Sequence, residues 1–543
     1  MRKLLLIVLS GAVTVLWAAD WASRSGNPQR DGWAQGEDDL VKGKIQDLRL
    51  LYKTKLDNQS AGLDALTVPL INGNLITYLG FKELLFVGGS SGTVYAIDAA
   101  LNRPYWKTRF DYQGDRPREN DTSVCPGGMT ASIAIPGGSS PAGLPFHYFR
   151  KTSGAAARRA RRRPSANSPA SQLFGTGFGS NGSVFAIGAD GYLRFVRQSD
   201  GNDTAVAPVK FVPAGSKVTG INIKGTVVYA ATVDGCGGSP NALYAIDLAR
   251  EDKKVVSFPT NGSGLSGAGG TAISNEGTVY AQVHSGHGDV AGQYNDTVLA
   301  LDPETLQVKD YFTPSGSAPA SEAVAPLGVT PVVFPWNGKE VIVAAGADGT
   351  VYLLDTASLG GADHHTPLAR SERIAAAGMT VIGQSKRDFQ MGVISGDFAT
   401  WQDDNNTRWV YAALHGLAAA KFSVTNGDAP HGGIVAFKIV ERNGQPALEP
   451  QWISRDMTAP ASPITTNGLV FALAGGAQNG GRAAMYALDG ATGKELFSTG
   501  DEVTAFSHGS GLALANSRVY FTTHDNTIYC YGFPALEPQL TER

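Results

Sequence analysis

Gly92-Thr-Val-Tyr-Ala-Ile-Asp98 (GTVYAID) reads as a β-strand of β-branched and aromatic residues closed by an aspartate. The chain repeats it as GSVFAIG at 182–188, NALYAID at 241–247, DTVLALD at 296–302 and GTVYLLD at 349–355. GGIVAFK at 432–438, AAMYALD at 483–489 and NTIYCYG at 526–532 complete the set. Eight copies of one strand, about 45–55 residues apart with two longer intervals, are the mark of a repeat architecture.

Each copy has the same neighbours. An apolar strand precedes it across a Gly, Asp or Asn turn, as in LLFVGG (84–89), VVYAAT (227–232), LVFALAG (469–475) and RVYFTT (518–523). Another strand stands before that pair, as in GINIKG, PVVFPWNG and GLALANS, and a fourth follows the aspartate, most plainly in ATGKELFS (491–498). Four antiparallel strands per repeat, with no helical period, predict an all-β fold: an eight-bladed β-propeller of four-stranded antiparallel blades. The last copy lacks an outer strand, and Leu48–Leu56 is a strand without a repeat. The economical closure uses that N-terminal strand to complete the last blade, hiding an edge that would otherwise template aggregation.

Charged residues are 17% of the chain, below the roughly 25% of ordinary soluble domains, and 67 glycines accompany the many turns. A net charge of −3 gives no case for nucleic-acid binding. Arg2, Lys3 and the apolar run Leu4–Leu16 read as an export signal too short to span a bilayer comfortably; retention as an N-terminal anchor is the alternative. No later segment resembles a membrane span, so the chain is expected to be soluble, monomeric, and periplasmic or secreted. The expected organisation is 1–19 signal peptide, 20–45 N-terminal arm, 46–533 propeller and 534–543 tail. Two inserts interrupt it: an Arg-rich segment at 137–172, expected to be a solvated, disordered loop, and 359–392 between the fifth and sixth blades.

ALDGATGKELF (487–497) and AIDAALNRPYW (96–106) resemble the tryptophan-docking repeat of quinoprotein propellers, the pyrroloquinoline quinone (PQQ) repeat, and DWASRSGNPQRDGWA (20–34) is similar to the start of mature PQQ-repeat proteins. The resemblance covers nearly the whole chain after the signal, with the docking motif clear in two blades. It implies a PQQ-dependent alcohol or sugar dehydrogenase with calcium beside the quinone and an aspartate base, or a non-catalytic propeller of the same fold. No two cysteines are adjacent, the calcium ligands find no residue-by-residue match, and no Cys-x-x-Cys-His haem site occurs.

Propellers bind ligands at one channel mouth, lined by residues before each innermost strand and by the hairpins between second and third strands. Asp397 in SGDFATW and His508 in AFSHGSGLAL precede or enter innermost strands, while His415 and His431 frame a second-to-third hairpin. These four are the candidate ligand-binding residues, with Asp397 the candidate base. A structural role in tying loops together competes with that reading for each. Cys125 and Cys236 fall on the same face in neighbouring blades, which permits a disulfide or leaves two thiols, with redox or metal duty a third reading; Cys530 reads as a buried strand residue. His284, His287 and Asp289 imitate metal-ligand spacing on a loop, and QDDNNTRW (402–409) an oxygen-rich calcium loop, but Asp and Asn are expected in such turns for backbone reasons. The function expected is a binding or scaffold module of the cell envelope, its partner an unidentified envelope protein or small ligand. No cofactor is certain; PQQ with Ca²⁺ belongs to the alternative reading as an oxidoreductase.

Overall fold

A computed structural model describes residues 20–60, 63, 65–111, 125, 133–136, 173–174, 182–260, 264–284, 294, 296–314, 329–346, 349–374, 394–419, 421–477, 480–509 and 511–534. The protein is an all-β propeller of four-stranded antiparallel blades. Sheet one runs Leu70–Thr77, Gly80–Gly89, Thr93–Asp98, Arg103–Arg109, each strand paired to the next. Sheets three to seven repeat this meander around Val227–Val233, Val279–His284, Lys339–Ala345, Arg408–His415 and Leu469–Ala474 as second strands. In sheet eight, Leu512–Ala515, Arg518–Thr523 and Thr527–Gly532 are followed on the outside by Arg49–Lys55, antiparallel to Thr527–Gly532.

The repeat predicts eight complete blades; among the described residues seven sheets have four or more strands. The second, Ser183–Ile187, Tyr192–Arg197 and Val209–Lys210, has three, and its inner position is held by a single bridge from Ala134 to Phe185. The Arg-rich insert 137–172 lies outside the described residues. The expected insert 359–392 is in part a blade element, because Ala369–Arg370 pairs with Tyr352 and Leu353 as the outer strand of sheet five.

Local chemistry sets the hairpins. Asn337-Gly338, Asn443-Gly444 and Asn467-Gly468 all take positive φ, as two-residue turns between right-twisted strands demand. Period-two alternation then gives each sheet two apolar faces. Leu84 and Phe86 pack against Val184 and Ala186 of sheet two, while Leu85 and Val87, one residue out of phase, pack with Phe471 and Tyr520 of sheets seven and eight. Similar clusters join each remaining neighbour pair, so the apolar cores lie between sheets and the innermost strands are left facing the axis.

Candidate functional site

An innermost strand has backbone N–H groups with no sheet partner, and buried N–H groups need one. The arm at 20–45 supplies partners to every sheet in turn. Trp21 exchanges bonds with Ile71 in sheet one (2.9 and 3.0 Å), and Ala22 C=O accepts from Ile135 N beside sheet two (2.9 Å). Pro28 C=O accepts from the Asn222 side chain of sheet three (3.0 Å) and from Ile273 N of sheet four (2.9 Å). Gln29, Asp31 and Gly32 carbonyls take Val333, Thr400 and Thr465 N–H of sheets five, six and seven. Glu37 then accepts from Ser517 N of sheet eight. Residues 21–32 thus form a belt along the inner strands, and Glu37 reaches the turn between the first two strands of sheet eight.

Two guanidinium groups of this belt are buried at the axis. Arg30 is fully enclosed and donates to the carbonyls of Thr271 (3.1 Å), Ile221 (3.1 Å), Gly269 (3.0 Å) and Arg24 (2.6 Å), and to Ser23 Oγ (3.2 Å). Burial lowers its pKa to about 10, so it remains charged at neutral pH. Arg24 Nε donates to Asp397 Oδ2 at 2.7 Å and its Nη1 to Gly509 C=O at 2.8 Å. Ser25 Oγ donates to the same Asp397 oxygen at 2.9 Å.

Asp397 is 1% exposed. Burial pushes its carboxyl up, but Arg24, the Thr330 hydroxyl and Arg30 together hold it below the ordinary range. Its Oδ1 has no hydrogen-bond partner among the described residues. Gly269 makes room for it: a Cβ there would come within 2.8 Å of Oδ1 and 2.9 Å of Thr330 Oγ1. Thr271 Oγ1, Ser266 Oγ and Thr400 Oγ1, on or beside the inner strands of sheets four and six, are also buried without a hydrogen-bond partner among the described residues, which leaves polar capacity there for water or a ligand.

The four sequence candidates separate. Asp397 and His508 converge on Arg24, which bonds the first and the backbone beside the second. Burial, with Lys217, His524 and Arg24 adding positive charge, lowers the His508 pKa to about 3, keeping it neutral. His415 is buried, its Nε2 2.5 Å from Ser395 Oγ, and burial lowers its pKa to about 4; it ties sheet six together. His431 stands on the surface, Nδ1 2.7 Å from Asp456 Oδ2. Cys125 and Cys236 form a disulfide, Cα atoms 5.6 Å apart. His287 and Asp289 lie outside the described residues. In the 402–409 loop Asp403 accepts from Thr407 N, Asn405 N and Trp409 Nε1, an ordinary turn cap. Sequence reasoning missed Arg24, Arg30, Ser25 and Thr330. Arginines in a segment this poor in helix or strand pattern were the available signal.

The residues do not fit a calcium–quinone pair at Asp397. Its carboxylate already carries the Arg24 guanidinium, with Arg30 close behind, and a divalent cation would meet two fixed positive charges in a low-dielectric site. A carboxylate held ionised so firmly is also a weak general base.

The arm's own acids make its docking pH-dependent. Burial pushes Glu37 up to about 7 despite donation from the Ser517 and Asn516 amides, and pushes Asp20 and Asp31 up to about 6. Each folded pKa is raised, so the folded state binds the proton more tightly. The stabilisation is complete below the unfolded pKa and is lost as pH rises through the folded one. Glu37→Gln should therefore gain stability over the parent as pH rises from about 4.5 to 7, levelling off at about 3 kcal/mol. Urea unfolding of both proteins at pH 5 and pH 8 measures it; a gap that does not widen with pH refutes the burial of Glu37.

With the geometry in view, the fold has counterparts. No family model matches the chain, and no curated protein does. Among solved structures it is similar to quinohemoprotein alcohol dehydrogenase from Comamonas testosteroni, with TM-score 0.55 and 13% identity over 96% of this chain and 82% of that one. It is similar to quinohemoprotein alcohol dehydrogenase ADHIIG from Pseudomonas putida HK5, with TM-score 0.56 and 14% identity over 96% and 82%. A europium-containing methanol dehydrogenase gives TM-score 0.57 and 11% identity over 95% and 98%. The chain shares the β-propeller fold of these quinoprotein dehydrogenases, as its repeats imply. At such identities the likeness concerns fold.

Proposed function

We propose that this is an exported β-propeller that acts by binding, as a non-catalytic recognition or scaffold module of the periplasm or secreted space. One observation carries the reading: the axial carboxylate, Asp397, is neutralised by the chain's own Arg24 at 2.7 Å, which makes it a poor base and a poor cation ligand. The disulfide agrees with an oxidising compartment. In the same reading the three-stranded second sheet is an eighth blade with 133–135 as its inner strand, the ring is fastened by Arg49–Lys55, and the protein is a monomer. Its ligand is a small polar molecule or a segment of an envelope protein, held near His508 and Arg24.

Calorimetry of the purified protein with PQQ and Ca²⁺, followed by a dye-linked assay on alcohols and sugars, tests this. No turnover is expected. Turnover with bound PQQ would replace the reading by that of a quinoprotein oxidoreductase, whereas tight binding alone would make PQQ the recognised ligand. For any ligand found, His508→Gln should weaken affinity about tenfold, the loss of one good hydrogen bond to a polar group; an unchanged affinity removes His508 from the site.

A further inference from the structure

Seven large apolar side chains are exposed among the described residues, and four of them sit within six residues of one hairpin. They are Ile76 (38%), Tyr78 (80%), Leu79 (58%) and Phe81 (71%), at the turn between the first two strands of sheet one. Ile76 pairs with Phe81 and Thr77 with Gly80. The last bond to the third-strand side is Ala99 N to Glu83 C=O (2.9 Å), so Gly80–Lys82 projects past the sheet by about 10 Å. The tip, 74–81, carries no charge, and Lys82 at its base is bound to Asp98 (2.7 Å). Leu101, 54% exposed, lies in the adjacent turn of the same sheet.

The described chain begins beside the first strand of that hairpin. Trp21 bridges Ile71 antiparallel, and Asp20 accepts from Gly73 N at 2.9 Å. At Asp20 the backbone therefore runs antiparallel to Leu70–Thr77, the strand that ends at the Ile76–Phe81 tip, and residues 1–19 precede it in sequence. That preceding chain contains the apolar run LLLIVLSGAVTVL (4–16).

We propose that the Ile76–Phe81 hairpin is a membrane-interface contact, inserting Tyr78, Leu79 and Phe81 into the headgroup boundary of a lipid bilayer. A tyrosine and a phenylalanine beside leucine suit that zone, where one end of the ring is apolar and the other wet. Single apolar contacts give marginal membrane affinity, and two on one side of a rigid body act together. Wherever the 4–16 run is retained, it supplies the second. The proposal is independent of what the channel mouth binds.

The test places Phe81→Trp in the full chain and mixes it with phosphatidylethanolamine–phosphatidylglycerol vesicles whose acyl chains are brominated or plain. Leu417→Trp, on the second-to-third hairpin of sheet six, is the control. The expected result is sedimentation with vesicles and bromine quenching of the emission added at position 81, with none at position 417. A chain that does not sediment, or sediments with position 81 unquenched, overturns the proposal; the second result would follow if the hairpin met a protein instead. Equal quenching at both positions means unfolded adsorption and overturns it as well.

Discussion

Asp397→Ala should destabilise the protein by about 3–5 kcal/mol, more than either partner's contacts suggest, because it strands two buried guanidinium groups. Arg24 and Arg30 lie under one lid of arm and inner strands, and Asp397 is the carboxylate that bears on both. Arg30 retains its carbonyl acceptors in the variant, whereas among the described residues Arg24 keeps only the Gly509 carbonyl. Removing both members relieves the stranded charge. Arg24→Met with Asp397→Leu should recover most of the loss, since well-packed apolar replacements of buried ion pairs are often neutral or better. Urea denaturation of the two single variants and the double gives the coupling directly. Purely additive losses, or a single-variant cost under about 1 kcal/mol, would mean that the pair is solvated. The consequence for function would follow, because a solvated Asp397 is free for a cation or a substrate proton.

Breaking the Cys125–Cys236 disulfide should cost about 2–5 kcal/mol. The two cysteines are 111 residues apart, and the loop so closed spans sheet two and the first two meander strands of sheet three, Asn222–Lys224 and Val227–Val233. The chain-entropy model assigns a loop near that length about 4.7 kcal/mol. The paired substitution Cys125→Ala with Cys236→Ala, compared with the parent by urea unfolding, reads this out. Thiol titration provides an independent check. Cys530 is buried in the last sheet and burial pushes its thiol up to about 12, so the native protein should show no reactive thiol. The unfolded, unreduced chain should show one. Three thiols on unfolding would mean that the bridge does not form.

The repeated YAID-type strands, the Asn-Gly turns and the apolar alternation of residues such as Leu84–Val87 were legible because each follows from local sterics and from burial on a period of two. So was the class of fold. The candidate site was legible only in part. His415 belongs to a buried bond with Ser395 and His431 to a surface pair with Asp456, distinctions that depend on side-chain direction and solvent rather than on position in a repeat.

What the sequence determined by itself was the strand grammar, since each hairpin is set by residues adjacent in the chain. What only the tertiary structure decided was the use of the arm at 20–45. Its partners lie hundreds of residues away, as with Arg24 and Asp397, or Glu37 and Ser517. The physical reason is that inner strand edges present unpaired N–H groups, and Asp397 becomes a buried carboxylate, only once the sheets have packed against one another. Neither the demand nor the means of meeting it is local.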